Sequence, residues 1–304
     1  MKPILVHLHI FYKELYPELK DCLLNLQDYD IDLRVTLVDE HQEIEDDLKR
    51  TFKNCTIYKV PNLGFDVAPF IYVLNEVNLD DYSYVVKLHT KRDIKDESYK
   101  GHYYYGSGWR DLLLSFIKEK SVFDKVINTL ETHPKIGMSG NLKVILNQDI
   151  DTPFESKESF KFIQEQGFKA FKYRYITGTM FIARACVFKE LKEIDLKPQD
   201  FELPDLTHKI CQKAHLIERF MGYLVYLHKM SIKDCSQDLK NTDFKFLNIA
   251  VNKIIPLNFI YLKVVKELLW QKIITNYLVS VRKTKKNKLL IKILKIPVFS
   301  IKLK

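Results

Sequence analysis

Strand-like and helical patterns alternate through the first ninety residues, and no other feature constrains the fold as strongly. A strand-like segment is followed by a segment with helical spacing, and then by the next strand-like segment. Repeated β-α-β units of this kind build a mainly parallel sheet with helices on its faces. We therefore predict an α/β fold of the Rossmann-like kind. The four predicted strands are ILVHLHIF, DLRVTLVDE, CTIYKVP and YSYVVKLHT.

The pattern is less regular in the rest of the chain. WRDLLLSFI and SVFDKVINTLETHP have helical spacing, whereas KIGMSG and YRYITGTMFIAR are strand-like. A long helix is predicted over DLTHKICQKAHLIERFMGYLVYL. We predict a domain over residues 1–240, followed by a helical, basic extension over residues 241–304.

The net charge of +9 is distributed unevenly, which limits what it indicates about ligands. Residues 251–304 contain 13 lysines and arginines and one acidic residue, whereas residues 1–250 contain 35 basic and 38 acidic residues. The basic character therefore belongs to the extension. The preceding domain lacks basic patches interleaved with aromatic residues, so we exclude nucleic acid as its partner.

Three features of the sequence indicate a cytoplasmic protein. The N-terminal MKPILVHLHIFY is too short and too polar for a signal peptide. No run of about 18 uncharged apolar residues predicts a transmembrane helix. The five cysteines are scattered, without the spacing of a zinc site, and we interpret them as reduced thiols.

Ligands of open α/β sheets bind outside the carboxyl ends of the strands, so residues at those ends are binding candidates. The fourth predicted strand ends in KLHTKR. Because Lys87, His89 and Lys91 alternate with other residues, they should project from one face of an extended segment. Three cationic or hydrogen-donating groups on one face suit a diphosphate. The alternative is a set of solvated lysines.

The segment Asn62–Asp66 links the third strand to a helix. Gly64 would allow a ligand to approach the backbone, with Asn62 and Asp66 directed at a nucleotide or sugar. A structural alternative is that Asp66 caps the helix N-terminus.

Two later segments also have a structural and a functional interpretation. We place Trp109 and Arg110 among the substrate-binding candidates, with Arg110 as a clamp for a phosphate or carboxylate. The structural alternative is that Trp109 only anchors a helix in the core. Gly178 is predicted to lie inside a strand, where a glycine marks either a bulge or a close ligand. We place Gly178 and the nearby Met180 among the substrate-binding candidates.

His215, Glu218 and Arg219 lie on one side of a predicted helix, since they are spaced i, i+3 and i+4. Their neighbours are apolar, and charged groups in such surroundings are costly unless they are paired or used. A structural ion pair is one interpretation. The other is that Glu218 is a general base with a raised pKa, held by His215 and Arg219. We reject a zinc site, because His-x-x-Glu lacks a third ligand.

Together these segments resemble the rhamnan synthesis protein F family, bacterial glycosyltransferase-like proteins of cell-surface polysaccharide assembly. The resemblance covers residues 4–225 and excludes the chain beyond residue 240. The family often has arginine in the stretch where this chain has Leu63 and Phe65. The segments that carry the resemblance are VHLHIFYKEL, LRVTLVDE, PNLGFDVAPF, YVVKLHTKR, GWRDLLL, IGMSG, ITGTMFIAR and AHLIERFMG.

The resemblance implies a GT-A-like domain that binds a nucleotide-sugar. In many GT-A enzymes the strand that corresponds to YVVKLH ends in an Asp-x-Asp, which holds a divalent metal on the leaving diphosphate. This chain has Lys87, Leu88 and His89 there. We predict no cofactor. The resemblance is compatible with Mg²⁺ or Mn²⁺, but the Asp-x-Asp that would hold the metal is absent from this strand end. Our hypothesis is that side chains supply the positive charge that the leaving group needs.

The resemblance also implies roles for individual residues. Asp39 would contact the base, and Asn62, Gly64 and Asp66 would face the nucleotide-sugar. Glu218 would deprotonate the acceptor hydroxyl in an inverting transfer, which needs one positioned base. The family implies a donor such as dTDP-L-rhamnose and a lipid-linked glycan acceptor. A non-catalytic nucleotide-sugar-binding subunit, or a transferase of another nucleotide-sugar, is the alternative.

Residues 281–304 mix lysine with leucine and isoleucine. Such a composition suits an interfacial segment at an anionic membrane. Because acceptors in this chemistry are lipid-linked, we expect a peripheral location on the inner face of the cell membrane. The alternative is a disordered basic terminus.

Overall fold

The computed structural model of the chain describes residues 1–99, 102–151, 153–205, 211–239, 279–283, 288–293 and 296–302. The chain divides into two compact units. The first comprises Met1–Ser98 and Tyr103–Asp243, and the second comprises Tyr99–His102 and Phe244–Lys304.

The order of strands and helices in the first part of the chain follows the predicted alternation. The strands are β1 (Ile4–Ile10), β2 (Ile31–Leu37), β3 (Cys55–Lys59), β4 (Tyr84–His89), β5 (Ile94–Tyr99), β6 (His102–Gly106), β7 (Ile136–Ser139), β8 (Ile145–Asn147), β9 (Arg174–Ile176), β10 (Phe181–Arg184) and β11 (Ser231–Lys233). The helices are α1 (Tyr16–Leu24), α2 (Gln42–Thr51), α3 (Val67–Glu76), α4 (Gly108–Leu114), α5 (Lys120–Thr132), α6 (Gln148–Asp151), α7 (Pro153–Glu165), α8 (Lys189–Glu193) and α9 (Lys213–Leu227).

A seven-stranded sheet organises the first unit, in the order β11-β7-β10-β4-β1-β2-β3. Strands β1 to β4 are parallel to one another, and β11 is parallel to β7. Strand β10 lies between β4 and β7 and runs antiparallel to both. The predicted α/β fold with a mainly parallel sheet is therefore confirmed. Two short sheets, β5-β6 and β8-β9, are separate from the main one.

Burial of apolar residues explains why these segments adopt their structures. Every residue of β1 and β4 is buried, as expected for central strands covered on both faces. In α5, residues spaced three and four apart form a buried stripe that packs toward the sheet. Pro17 lies in the first turn of α1. Its missing N–H group costs nothing there, because the N–H groups of the first turn have no acceptor within the helix.

The predicted strand YRYITGTMFIAR is wrong, because a turn divides it into β9 and β10. Gly178 and Thr179 adopt positive φ angles of 81° and 51° in this turn, which ends the extended conformation. Strand β9 pairs with β8, whereas β10 joins the main sheet. Gly178 thus lies in a turn between two sheets and not inside a strand.

The described part of the second unit contains three antiparallel strands, β12 (Val279–Lys283), β13 (Lys288–Ile293) and β14 (Ile296–Lys302). The helical character that we predicted for residues 241–304 is therefore not confirmed. Short apolar runs of isoleucine, leucine and valine mixed with lysine fit a strand as well as a helix. The rest of the predicted extension lies outside the described residues. No helix in the described part of the chain is long and apolar enough to span a bilayer.

Candidate functional site

The carboxyl ends of β1 and β4 form the place where a ligand site is expected. Strand β1 is flanked by β2 on one side and β4 on the other, so the strand order reverses there. The register places His7 opposite Lys87 and His9 opposite His89. Since side chains two apart share a face of the sheet, these four groups lie on one face.

Lys87 is fully buried in β4. Its ammonium group donates to the Asp66 carboxylate, to the Thr179 hydroxyl at 2.9 Å and to the Thr179 carbonyl at 3.2 Å. Burial lowers the pKa of Lys87, and the negative charge of Asp66 opposes that effect. The predicted role of Lys87 in a diphosphate cradle therefore requires correction, because its ammonium group is buried and already bound to Asp66 and Thr179.

Asp66 immediately precedes α3, yet its side chain makes no capping hydrogen bond. Its carboxylate accepts hydrogen bonds from Lys87 and from the Thr179 hydroxyl. Burial opposes ionisation of Asp66, but His89, Lys87 and these hydrogen bonds together keep its pKa below the usual range. The capping alternative is wrong, and Asp66 is instead the anionic centre of the polar cluster.

His89 connects this ion pair to the turn that follows β9. Its Nε2 lies 2.9 Å from the Gly178 carbonyl oxygen and 3.8 Å from Asp66 Oδ1, while Nδ1 lies 3.2 Å from the Thr90 carbonyl. Burial lowers the pKa of His89 to about 4, so the ring is neutral at neutral pH. The shorter carbonyl contact then indicates that Nε2 carries the proton and donates it to Gly178.

Two further histidines belong to the cluster, and our predicted site did not include them. His7 Nε2 and His9 Nδ1 lie 2.9 Å and 3.0 Å from the hydroxyl oxygen of Thr36. Burial lowers the pKa of His9 to about 3 and that of His7 well below its usual value. Their spacing of two residues in the buried strand ILVHLHIF was a detectable signal, because central strands seldom carry polar residues.

Glu218 of α9 reaches the same turn from the other side. Its Oε1 accepts a hydrogen bond of 2.7 Å from the Gly178 N–H. Burial raises the pKa of Glu218 to about 7, and Asp66 adds to this effect. The Gly178 N–H and the charges of Lys91 and Lys87 act in the opposite direction. A carboxyl group poised near neutrality can take a proton from a hydroxyl group.

His215 and Arg219 have different partners from those predicted. His215 Nδ1 accepts from the Gln212 N–H at 3.2 Å and so completes the N-terminal cap of α9. Arg219 Nη1 donates to the His215 carbonyl at 2.8 Å and lies 3.8 Å from Glu218 Oε2. The groups that influence the pKa of Glu218 most lie on other elements, so the predicted influence of His215 and Arg219 requires correction.

Arg110 is buried, and acidic groups already surround it. Its Nε donates to Glu18 at 2.6 Å, and its Nη1 donates to Asp93 and, at 2.8 Å, to the Lys91 carbonyl. Arg110 therefore holds the segment after β4 in place and is not free to clamp a phosphate. Trp109 is buried in the core, as its structural interpretation required.

The remaining predicted residues differ in accessibility. Gly64 has φ of 57°, and a Cβ there would lie 2.6 Å from the Phe201 ring, so the close approach is to protein and not to a ligand. Met180 is fully buried. Asn62 is half-buried, and Asp39 is exposed just beyond the end of β2. Asn62 and Asp39, together with the half-buried Lys91 just beyond β4, therefore have surface available for a ligand at this edge.

The residues at the end of β4 do not fit a divalent cation. Across the described part of the chain, no group of three or more histidine, cysteine or acidic residues is arranged to hold a metal ion. The carboxylate nearest the strand end, Asp66, is already bound by the Lys87 ammonium. A second cation beside that ammonium would be repelled.

A cavity of about 540 Å³ lies at the opposite edge of the sheet, next to Asp32, Arg34 and Tyr82. Its volume is sufficient for a small ligand. Strongly shifted pKa values instead converge at the carboxyl ends of β1 and β4, and such convergence is typical of functional sites. We therefore place the candidate site at the carboxyl edge.

Comparisons with known proteins agree with the resemblance seen in the sequence. Residues 1–230 match the family model described as Rhamnan synthesis protein F. Two relatives named "Uncharacterized protein WxcX", from two strains of Xanthomonas campestris pv. campestris, are each 23% identical over 237 residues. The aligned part covers 72% of this chain and 31% of each relative. The chain thus spans about a third of the length of these relatives.

Proposed function

The chain belongs to the rhamnan synthesis protein F family, and from this premise we propose that it is a sugar transferase of cell-surface polysaccharide synthesis. The observation that carries the proposal is Glu218, whose pKa is raised to about 7 beside the Gly178 N–H. A general base is most effective when its pKa lies near the working pH. The order β3-β2-β1-β4 supports a GT-A-like nucleotide-binding arrangement, since it is the order of a doubly wound fold.

The proposed reaction is an inverting transfer from dTDP-L-rhamnose to a glycan hydroxyl on a lipid carrier. Glu218 takes the proton of the acceptor hydroxyl as that oxygen bonds to the anomeric carbon. The bond between this carbon and the diphosphate oxygen breaks, and its electron pair leaves on the diphosphate. One base on the face opposite the leaving group suffices for inversion.

Lys91 is the side chain that we propose for the leaving diphosphate. It is half-buried just beyond β4, and it forms no ion pair with any residue of the described ranges. Its charge lowers the pKa of both Glu218 and His89, which places it close to the site. A fixed cation here would stabilise the charge that develops on the diphosphate. Asp39 and Asn62 are the proposed contacts to the base and sugar.

Thermal unfolding with a panel of nucleotides and nucleotide-sugars tests this proposal. In EDTA, dTDP-L-rhamnose should raise the Tm of the full chain, since a ligand that binds only the folded state stabilises it. Lys91→Met should lose this shift, whereas Lys53→Met, at the amino edge of the sheet, should keep it.

Each other outcome of the panel has a distinct meaning. A shift that needs Mg²⁺ or Mn²⁺ would refute the role of Lys91 as the counter-charge. A shift with another nucleotide-sugar would replace rhamnose as the donor. No shift with any nucleotide would contradict the whole proposal. A shift in the panel without product in a separate transfer assay would favour the non-catalytic subunit.

We also propose that the C-terminal segment docks on the inner face of the cell membrane, where a lipid-linked acceptor would lie. The support is compositional, since residues 281–304 mix lysine with leucine and isoleucine. The full chain should co-sediment with vesicles that contain phosphatidylglycerol and much less with neutral vesicles. A variant that lacks residues 281–304 should lose this binding. Equal binding by both forms would refute the proposed membrane docking.

A further inference from the structure

The turn between β9 and β10 has an unfavourable backbone conformation. Gly178 and Thr179 both have positive φ angles, of 81° and 51°. Glycine adopts such angles readily, but a β-branched residue such as threonine does not. A conformation of this kind persists only where the surroundings impose it, and it is found most often at functional sites.

The Lys87–Asp66 ion pair supplies the groups that hold Thr179. The Thr179 hydroxyl donates to Asp66, and Lys87 donates to both the hydroxyl and the carbonyl of Thr179. Thr179 is buried, so water does not compete for these contacts. His89 donates to the carbonyl of Gly178 at 2.9 Å. Three polar side chains thus bind the turn from the side of the sheet.

The N–H of Gly178 points away from this cluster, toward α9. This N–H group donates to Glu218 Oε1 at 2.7 Å. Among the described residues, no other group donates a hydrogen bond to this carboxylate. The direction of this N–H depends on the dihedral angles of the turn. A relaxed Thr179 would therefore carry the donor away from Glu218.

We propose that Asp66, Lys87 and Thr179 are positioning residues, which hold the Gly178 N–H on Glu218 and thereby control when this carboxyl group ionises. The role of this positioning in catalysis rests on the proposed function. The effect on the ionisation of Glu218 can be tested without a substrate. It also gives the buried lysine at the end of β4 a role other than phosphate binding.

Several charged groups face Glu218, so a test must leave them unchanged. Asp66 and Lys87 approach from the sheet side, Lys91 from the segment after β4, and Arg219 from α9 itself. Cys211 precedes α9, and the charge of Glu218 adds to the effect of burial, which raises the pKa of the Cys211 thiol. Replacement of Asp66 or Lys87 would remove a charge as well as a contact. Thr179→Val avoids this problem, because it removes the hydroxyl and keeps the shape.

The titration of Glu218 is the measurement that tests the proposal. Carbon-13 NMR of glutamate-labelled full chain would follow the side-chain carboxyls, with the Glu218 resonance assigned by its loss in Glu218→Gln. In Thr179→Val the midpoint should rise by about one pH unit, the equivalent of one lost hydrogen bond to the ionised form. Thr179→Ser, which keeps the hydroxyl, should titrate as the wild type does.

Thr36→Val is the matched control, since it removes another buried threonine hydroxyl from the same cluster. It should lower the Tm without moving the midpoint of Glu218. An unchanged midpoint in Thr179→Val, or an equal shift in Thr36→Val, would overturn the inference.

A measurement on the wild type covers the case in which Thr179→Val does not fold. The amide resonance of Gly178 should titrate with the same midpoint as the Glu218 carboxyl, because the two groups share a hydrogen bond. An amide that does not respond would overturn the inference. If the amide and the valine variant respond as expected but the wild type transfers no sugar, the proposed function fails and the positioning role stands.

Discussion

Replacement of Glu218 by glutamine should lower the turnover number of sugar transfer by about 10²- to 10⁴-fold, the usual contribution of a general base. The amide cannot take the acceptor proton, but its oxygen can still accept from Gly178 at the position of Oε1. Donor binding, measured by the Tm shift, should therefore persist. With a pKa of about 7 for Glu218, the wild-type rate should rise as pH passes through neutrality and then level off. The variant should lack that rise.

Glu190→Gln is a suitable control for this experiment. Glu190 is also half-buried, and its carboxylate lies 2.9 Å from His228 Nε2. It belongs to α8, and among the described residues its hydrogen-bond partner is this histidine, which is not part of the candidate site. This variant should transfer sugar at the wild-type rate. If Glu218→Gln does the same, Glu218 is not the base and the mechanism proposed for this site is wrong.

Lys87→Met should destabilise the protein by about 3–5 kcal/mol, the range seen when one partner of a buried ion pair is removed. The lysine side chain is fully buried and that of Asp66 is 15% exposed, so little water would replace the ammonium. The Thr179 carbonyl would also lose its donor. Urea unfolding of the full chain at pH 7 would measure the effect. The double variant Lys87→Met/Asp66→Asn should recover part of the loss, because no unpaired charge remains.

A surface lysine provides the comparison for Lys87. The Lys120 ammonium lies 3.0 Å from Asp28 and 2.8 Å from Asp124, but its side chain is 47% exposed. Lys120→Met should leave the unfolding midpoint close to that of the wild type, since solvent screens such pairs. If Lys87→Met were as mild, the buried pair would not be what holds the β9–β10 turn.

The strand–helix alternation of the first ninety residues was readable without a structure because hydrophobic periodicity is local. Each of the four predicted strands appears in the main sheet, and the register places Lys87 and His89 on one face as their alternation indicated. The apolar neighbours of Glu218 likewise indicated a carboxyl group in an unusual environment.

The local sequence pattern was insufficient to predict the structure in two regions of the chain. The apolar run around Gly178 looked like one strand, but the positive φ angles of Gly178 and Thr179 divide it between two sheets. In the C-terminal region, short apolar runs mixed with lysine were compatible with either a helix or a strand, and the described residues form strands. Which conformation such a segment adopts depends on what it packs against.

The sequence by itself determined the fold class, the uneven distribution of charge and part of the set of polar side chains near the carboxyl edge, including Lys87, His89 and Asp66. Only the tertiary structure decided how those side chains pair. Lys87 meets Asp66 across 21 residues, Asp66 meets Thr179 across 113, and Glu218 meets Gly178 across 40. Burial and hydrogen bonding set the charge of each group, and both arise from contacts that no local pattern contains. The same lysine that appeared suited to a phosphate is, for that reason, a buried partner of a carboxylate.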